Sequence, residues 1–361
     1  MRIKLEPNNI ERYLKEVMGD SARLEGVGEI GQLAEQAMKE FGYGKALEVT
    51  YTVDGKTEKA VFSVMKGDRY GHQHYWDRAA ILLFEYYAGS RMEKHARPLG
   101  VGYVDVEGWL VPVKDPQEFF IVHEKIEGEP YFASLERIRG AGLEEGDLEM
   151  AREFARWLGR IHSQRVDDPD MYMRRVRQLI GDSECIWGLV DAYPHPYEFF
   201  PPERFQALEK ELIGWRWKLR GFTHRLSITH GDFHPWNIIV RPDGDFTLLD
   251  RSRGESGEPA DDVASISANY ILYALYEGKE LNGDFGRLYL EFWDTYLEET
   301  GDHELLEVIA PFYVFRALVM ASPEWYPNHP VKVRQGLLNL ARNVIGESGF
   351  DFRSVFKYTA G

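Results

Sequence analysis

Cysteine is almost absent: Cys185 stands alone among 361 residues, so no disulfide can form within the chain and nothing points to an oxidising compartment. A basic excess is missing too. Lys and Arg number 43 against 59 Asp and Glu, a formal charge of −16, which excludes general nucleic-acid binding, since that calls for a basic surface. Long hydrophobic runs are lacking. The longest, VIAPFYVFRALVMA, is interrupted by Arg316 and falls short of the roughly 18 residues that a spanning helix needs. The first residues, MRIKLEPNNIERYLKE, carry charge throughout and no apolar signal core. A soluble cytoplasmic protein with no membrane partner is expected. Repeats, low-complexity tracts and Ser/Pro-rich linkers are also missing, so any lobes are joined tightly. What is present is core material: 44% of residues are apolar and 14% aromatic, which rules out a mostly disordered chain. The length suits two lobes, at about 100–200 residues per domain.

Residues 10–41 read as helical by the spacing of apolar and polar positions. ALEVTYTV and KAVFSVM flank Asp54-Gly55, a hairpin signal between two β-rich runs. Residues 73–88 predict a long buried helix, and EFFIVHEKIEG a strand ending near Gly128. From Asp147, a natural N-cap, a helix carries Leu148, Ala151, Phe154, Leu158 and Ile161 on one stripe. Beyond about residue 260 the pattern is almost wholly helical. Strands dominate early and helices late, a two-lobed α+β plan.

The chemistry is concentrated in THGDFHPWNIIV, followed by RPDGD and FTLLD. Two short apolar strands flank Asp243-Gly244, a dipeptide that favours a two-residue hairpin loop. On that register Arg241 faces Phe246, Val240 faces Thr247, Ile239 faces Leu248, Ile238 faces Leu249, and Asn237 faces Asp250. An amide oxygen and a carboxylate then meet at the mouth of the hairpin, with Asp232 on the incoming loop. Two carboxylates and an Asn suit Mg²⁺, which takes one or two protein oxygens plus substrate phosphates. Phosphoryl transfer needs that metal and a carboxylate that orients or accepts the proton of an attacking hydroxyl. Asp232 is placed for the proton; Asn237 and Asp250 are placed for the metal.

HGDFHPWN, the Asp of LLD and GEPADDVA together resemble the aminoglycoside phosphotransferase and choline-kinase-like family, a branch of the protein-kinase fold. The resemblance spans roughly residues 45–270. It implies a bilobal fold with a small β-rich N-lobe over residues 1–123, a hinge at 124–128 and a larger helical C-lobe over 129–361. By that likeness Asp232 is the catalytic aspartate, Asn237 and Asp250 hold the metal, Asp262 supports the catalytic loop and His230 braces it. The run WLGRIH, ending at His162, looks like the family's helix that closes with a structural His.

The fold also calls for a lysine on the third strand that holds donor phosphates, positioned by a helical glutamate. Lys66 and Glu85 have the right order, and Glu85 lies in the apolar run ILLFEYY, where an unpaired carboxylate would be costly. Gly42-Tyr-Gly44 is the better position for a phosphate-covering loop. Gly26-Val-Gly28-Glu-Ile-Gly31 matches GxGxxG literally but is read as a turn or helix junction. Asp284-Phe-Gly286 spells DFG but opens an amphipathic helix. Glu124-Lys-Ile-Glu-Gly128 resembles the hinge, where backbone groups of Glu124 and Ile126 would meet a purine edge. His72, His74 and Asp77 are too few for a zinc site and read as a helix N-terminus. Arg251 and Arg253 suit phosphates or, equally, Glu255 and Glu258.

Arg216, Lys218, Arg220 and Arg225 precede the catalytic loop, and Arg174, Arg175 and Arg177 form a second basic group. Residues 254–307 hold fourteen acids against Lys279 and Arg287. Both charge groups are read as solvated faces with packed stems, so neither chooses the acceptor. The expected function is transfer of the γ-phosphoryl of ATP, or another nucleoside triphosphate, to a small-molecule hydroxyl with Mg²⁺. A protein kinase on the same chemistry, or a nucleotide-binding regulatory module without turnover, are the alternatives.

Overall fold

The computed structural model describes residues 6–29, 44–69, 71–91, 94–114, 116–278 and 281–361. The chain divides into two compact units, Met1–His123 and Glu124–Gly361.

The N-terminal unit begins with α1 (Pro7–Met18), which has Pro at its start and buries Ile10, Tyr13 and Leu14. The helix expected over 10–41 stops at Met18. Gly19, at φ +108°, turns the chain, and β1 (Arg23–Glu29) follows; residues 30–41 lie outside the described residues. Gly26 and Gly28, read as a turn or helix junction, therefore sit in a strand. β1 pairs antiparallel with β2 (Gly44–Val53), so Gly26 opposes Thr50 and Gly28 opposes Glu48. A ladder partner distant in sequence overrides the local helical spacing. β2 and β3 (Lys56–Met65) form the hairpin expected around Asp54 and Gly55, both at positive φ, as a type I′ turn requires. Val49 and Tyr51 of β2 join Ile10, Tyr13 and Leu14 in a small core.

Then comes α2 (Tyr75–Gly89), capped by His74 and Asp77 in a reciprocal box, as the helix-start reading of those residues anticipates. It is not buried as expected: Tyr75, Trp76, Phe84 and Tyr87 are all exposed. Consecutive apolar residues spread around a helix, so no single face can bury them all. Glu85 is exposed as well, which removes the burial argument for a cationic partner. β4 (Val101–Val104) and β5 (Leu110–Val113) pair antiparallel. The strand expected over 118–128 does not form; Phe119, Phe120, Ile121 and Val122 are exposed, and β-forming residues need a ladder to become a strand.

The C-terminal unit opens with β6 (Glu129–Pro130), α3 (Tyr131–Ala141) and α4 (Glu145–His162). The stripe on α4 is buried as expected at Leu148, Ala151, Phe154 and Leu158. Its N-cap, however, is Glu144. Asp147 lies one turn in, where it accepts the Glu144 amide at 2.9 Å and pairs with Arg137. The chain continues through α5 (Pro169–Gly181), α6 (Ile186–Ala192), α7 (Pro202–Leu219), β7 (Ser227–Ile228), β8 (Ile238–Val240), β9 (Phe246–Leu248) and β10 (Ser256–Gly257). The helical remainder comprises α8 (Ala260–Glu277), α9 (Asp284–Thr300), α10 (Leu305–Val308), α11 (Ala310–Ala321) and α12 (Val331–Val344). α8 is buried almost all round and packs against α9, α11 and α12. The DFG-like triplet opens α9, where Asp284 accepts the Leu143 amide at 3.1 Å.

The site hairpin is shifted by one residue from the expected register: Ile238 opposes Leu248, Ile239 opposes Thr247 and Val240 opposes Phe246. Arg241 and Asp245 close the turn (Arg241 N to Asp245 O 2.8 Å), and Gly244 N donates to Arg241 O at 3.0 Å with Gly244 at φ +86°. This is a three-residue loop, a turn followed by a left-handed glycine, rather than a two-residue one. Pro242 lacks the N–H that the shorter loop would need from it. Asn237 accordingly faces Leu249, whose amide it accepts at 2.8 Å, and not Asp250.

Candidate active site

One buried carboxylate shapes the loop between β7 and β8. Asp262, in the first turn of α8 and fully buried, accepts the His230 amide at 2.8 Å and the Gly231 amide at 2.7 Å. His162, the last residue of α4, contacts the same carboxylate at 3.2 Å and the Tyr296 hydroxyl at 2.8 Å. Burial pushes the Asp262 carboxyl up, but His162 and the His230 amide outweigh it and hold it below its ordinary range. Gly231 stands at φ +85°, a left-handed conformation that a side chain would strain. The His230 ring spans the loop: Nε2 donates to Leu249 O at 3.0 Å, and Nδ1 accepts the Asp232 amide at 3.2 Å.

Asp232 hangs from this frame beside Asn237, whose side-chain Nδ2 donates to the Asp232 carbonyl at 3.1 Å and reaches its carboxylate at 3.4 Å. The strongest partner is one that sequence reasoning missed. Arg316 of α11 pairs with Asp232 Oδ1, and its Nη2 donates to Asp261 Oδ1 at 2.7 Å and to Gly231 O at 3.0 Å. His234 stands 3.4 Å from Oδ2, and Arg253 Nε 3.7 Å from Oδ1. Burial raises the Asp232 carboxyl, yet Arg316, His234 and Arg253 together hold it far below the usual range. The signal was present: a lone Arg inside an apolar helical run must find a counter-charge when the helix is buried.

Asp250 follows β9 at φ +52° and accepts the Ser252 amide at 3.1 Å. Arg251 and Arg253 take neither of the carboxylates suggested for them. Arg251 donates to the carbonyls of Thr229 and Glu255, each at 3.0 Å, while Arg253 reaches Cys185 Sγ at 3.3 Å and covers the Phe315 ring. Burial pushes the Cys185 thiol up to about 11. The basic run before the loop divides. Arg216 and Arg220 lie over Trp217 and Lys218 over Trp215, as packed stems, but Arg225 is buried against Glu258, Asp302 and Glu304.

The other expected residues belong to different surroundings. Lys66 directly follows β3 and Glu85 lies on α2, both in the N-terminal unit. Gly44 opens β2, while Gly42 falls outside the described residues. Glu124 and Ile126 occupy an irregular segment at the start of the second unit.

A cavity of about 200 Å³ opens beside Asp232, lined also by Arg316, Trp236, Tyr326, Asn269 and Met320. No helix among the described residues is long and apolar enough to cross a membrane.

A phosphotransferase accounts for the loop around Asp232 and Asn237, and the sequence match agrees. Residues 92–299, more than half of the chain, match the phosphotransferase enzyme family, and the chain belongs to that family. No curated protein matches the sequence. Among solved structures it is similar to an ethanolamine kinase of Plasmodium vivax, at 15% identity over 96% of this chain and 84% of that one (TM-score 0.33). It is similar also to an aminoglycoside phosphotransferase of Streptomyces rimosus, at 16% identity over 86% and 99% (TM-score 0.34). A third is an amicoumacin kinase bound to AMP-PNP and Ca²⁺, at 12% identity over 97% of each chain (TM-score 0.40).

Proposed function

We propose that the protein moves the γ-phosphoryl group of ATP, or of another nucleoside triphosphate, to a hydroxyl of a small molecule, with Mg²⁺ as its metal. The observation that carries this reading is Asp232, held ionised by Arg316 on the wall of a small cavity with Asn237 beside it. In the transfer, the acceptor oxygen forms a bond to the γ-phosphorus while the bond from that phosphorus to the β–γ bridging oxygen breaks, releasing the nucleoside diphosphate. Asp232 orients the attacking hydroxyl and receives its proton. So acidic a carboxylate is a weak base, and its main contribution is orientation until the bond to phosphorus makes the hydroxyl acidic.

The residues available fit Mg²⁺. Asn237 spends its amide N–H groups on Asp232 and keeps its oxygen; Asp250 spends one oxygen on the Ser252 amide. Among the described residues no group of three or more His, Cys, Asp or Glu side chains could cage a metal, and Mg²⁺ needs only one or two protein oxygens. When bound, the ion offsets charge on the donor phosphates. His230 and Asp262 keep the loop in shape. In the N-terminal unit, Lys66 would hold donor phosphates with Glu85 positioning it, and Gly42 and Gly44 would cover them. The backbone of Glu124 and Ile126 would meet the base. Order along the chain and residue type support these four assignments. The single buried cysteine supports a reducing compartment, the cytoplasm.

Asp232→Ala is expected to abolish transfer while nucleotide binding persists, and Asp250→Ala to weaken Mg²⁺-dependent nucleotide binding as well. Turnover of wild-type rate in Asp232→Ala would sink the reading. Phosphate appearing on protein rather than metabolites of a cell extract would turn it toward a protein kinase, and nucleotide binding without any phosphorylated product toward a regulatory module.

A further inference from the structure

The cavity beside Asp232 has a chemical character of its own, and its assignment as an acceptor site rests on the phosphotransferase reading. Ser265 and Asn269 of α8 are among its lining residues, and each holds a buried polar atom without a hydrogen-bonding partner, Ser265 Oγ and Asn269 Oδ1. Their residues are 0% and 5% exposed. The orientation of the amide is fixed by chemistry: Asn269 Nδ2 donates to the Ser265 carbonyl at 2.8 Å, an acceptor that only the NH₂ end can satisfy, so the oxygen is the end left without a partner. A buried acceptor with no donor carries a desolvation penalty, and a ligand hydroxyl removes it.

The walls are aromatic and braced from behind. Trp236 and Tyr326 meet edge to face at 6.3 Å, Phe132 stacks on Trp236 at 5.5 Å, and His329 stacks on Tyr326 at 4.7 Å. Such rings pack well against the C–H faces of a saturated ring. The charges lining the cavity balance: Asp232 and Glu184 against Arg253 and Arg316. Arg316 spends its two Nη atoms on Asp232, Asp261 and the Gly231 carbonyl and keeps a buried Nε donor without a partner, and Glu184 is exposed. A cationic acceptor would meet two guanidiniums, and an anionic one would meet Asp232. At about 200 Å³ the space is below the ~300–1,000 Å³ of sites for drug-sized ligands, room for one ring to be held.

We propose that the acceptor is an uncharged, single-ring polyol, with a ring face on Trp236 and Tyr326, one hydroxyl donating to Asn269 Oδ1, and another presented to Asp232 for phosphorylation. The bonds made and broken are those of the transfer above.

The test uses the full chain with Mg²⁺ and ATP. Neutral monosaccharides and cyclitols are compared with choline, ethanolamine and an aminoglycoside by mass spectrometry of the phosphorylated acceptor, with ATP binding measured separately. A neutral ring polyol is expected to show a kcat/KM at least about tenfold above every cation. Better turnover of a cation, or ATP binding with no neutral polyol phosphorylated, overturns the proposal and leaves the phosphotransferase reading standing. Absence of both ATP binding and transfer to any acceptor overturns that reading itself. Asn269→Leu is expected to raise KM for the polyol about tenfold or more with a smaller change in kcat. Asn269→Gln, which keeps both an amide donor and an acceptor oxygen, is expected to show a smaller rise in KM for the polyol than Asn269→Leu. An unchanged KM in a folded Asn269→Leu protein overturns the assignment of that residue.

Discussion

Arg225 and Arg316 are both buried, both belong to the C-terminal unit, and both are surrounded by carboxylates, yet they serve opposite ends. Arg225 is 1% exposed and uses its guanidinium on Glu258, Asp302 and Glu304, while Tyr172 donates to the same Glu258 at 2.8 Å. The inner pair, Arg225 with Glu258, is 1% and 2% exposed, while Glu304 at the rim is 39% exposed, and a buried pair of this kind ties chain segments together. Arg316 holds Asp232 and Asp261, but Asp232 faces a cavity. The same pairing chemistry joins chain segments around Arg225 and, on the proposed reading, aligns a carboxylate beside the cavity at Arg316.

The sharpest break between the two would come from Arg225→Met. Leaving Glu258 charged and enclosed should destabilise the protein by about 3–5 kcal/mol, seen in urea unfolding; an unaltered midpoint would place Arg225 with the surface arginines. Arg316→Met should act mainly on turnover instead, lowering kcat by roughly 10²-fold through misplacement of Asp232 while nucleotide affinity holds. Arg316→Lys, which keeps the charge and loses the fork, should recover part of that rate. A variant that melts before it loses activity would erase the distinction.

The pH dependence of stability probes both clusters together. Asp232, Asp262 and Asp302 have carboxyls held below their usual range in the folded chain. Unfolded, they take up protons near pH 4, so their contribution is fully present above about pH 4 and is lost as the pH falls below it. Asp261, raised by burial, opposes the trend. Urea midpoints measured from pH 6 down to pH 3 should fall, and Arg316→Met should flatten the fall by removing the share of Asp232. A midpoint that rises on acidification would contradict these directions. Smallest of all, Trp217→Ala on the exposed face of α7 should change stability by less than about 0.5 kcal/mol, although Arg216 and Arg220 rest on its ring.

The contrast also marks what could be seen in the sequence. The loop residues Asp232, Asn237 and Asp250 and the support from Asp262 lie in short contiguous motifs, and the stripe of α4 repeats at helical spacing; both signals are local. Most of what is not legible in the sequence is tertiary. β1 could not be told from a helix without knowing that β2 lies beside it. The run at 118–128 has the composition of a strand and lacks a ladder. The hairpin slipped by one because Pro242 and Gly244 favour a longer loop than the Asp-Gly pair suggests. By charge alone Arg225 falls with its basic neighbours, and Arg316 is only an interruption in an apolar run. For the two arginines burial, which a chain does not spell out residue by residue, decides the role.

Asp232 emerges from synthesis well before the residue that fixes its carboxylate. The segment that identifies the family ends at residue 299, while Arg316 arrives on α11, 84 positions after its partner. A nascent chain shorter than α11 would hold every motif residue and still lack an aligned acid at its loop. On the proposed reading, the stretch that matches the family is made before the guanidinium that aligns Asp232.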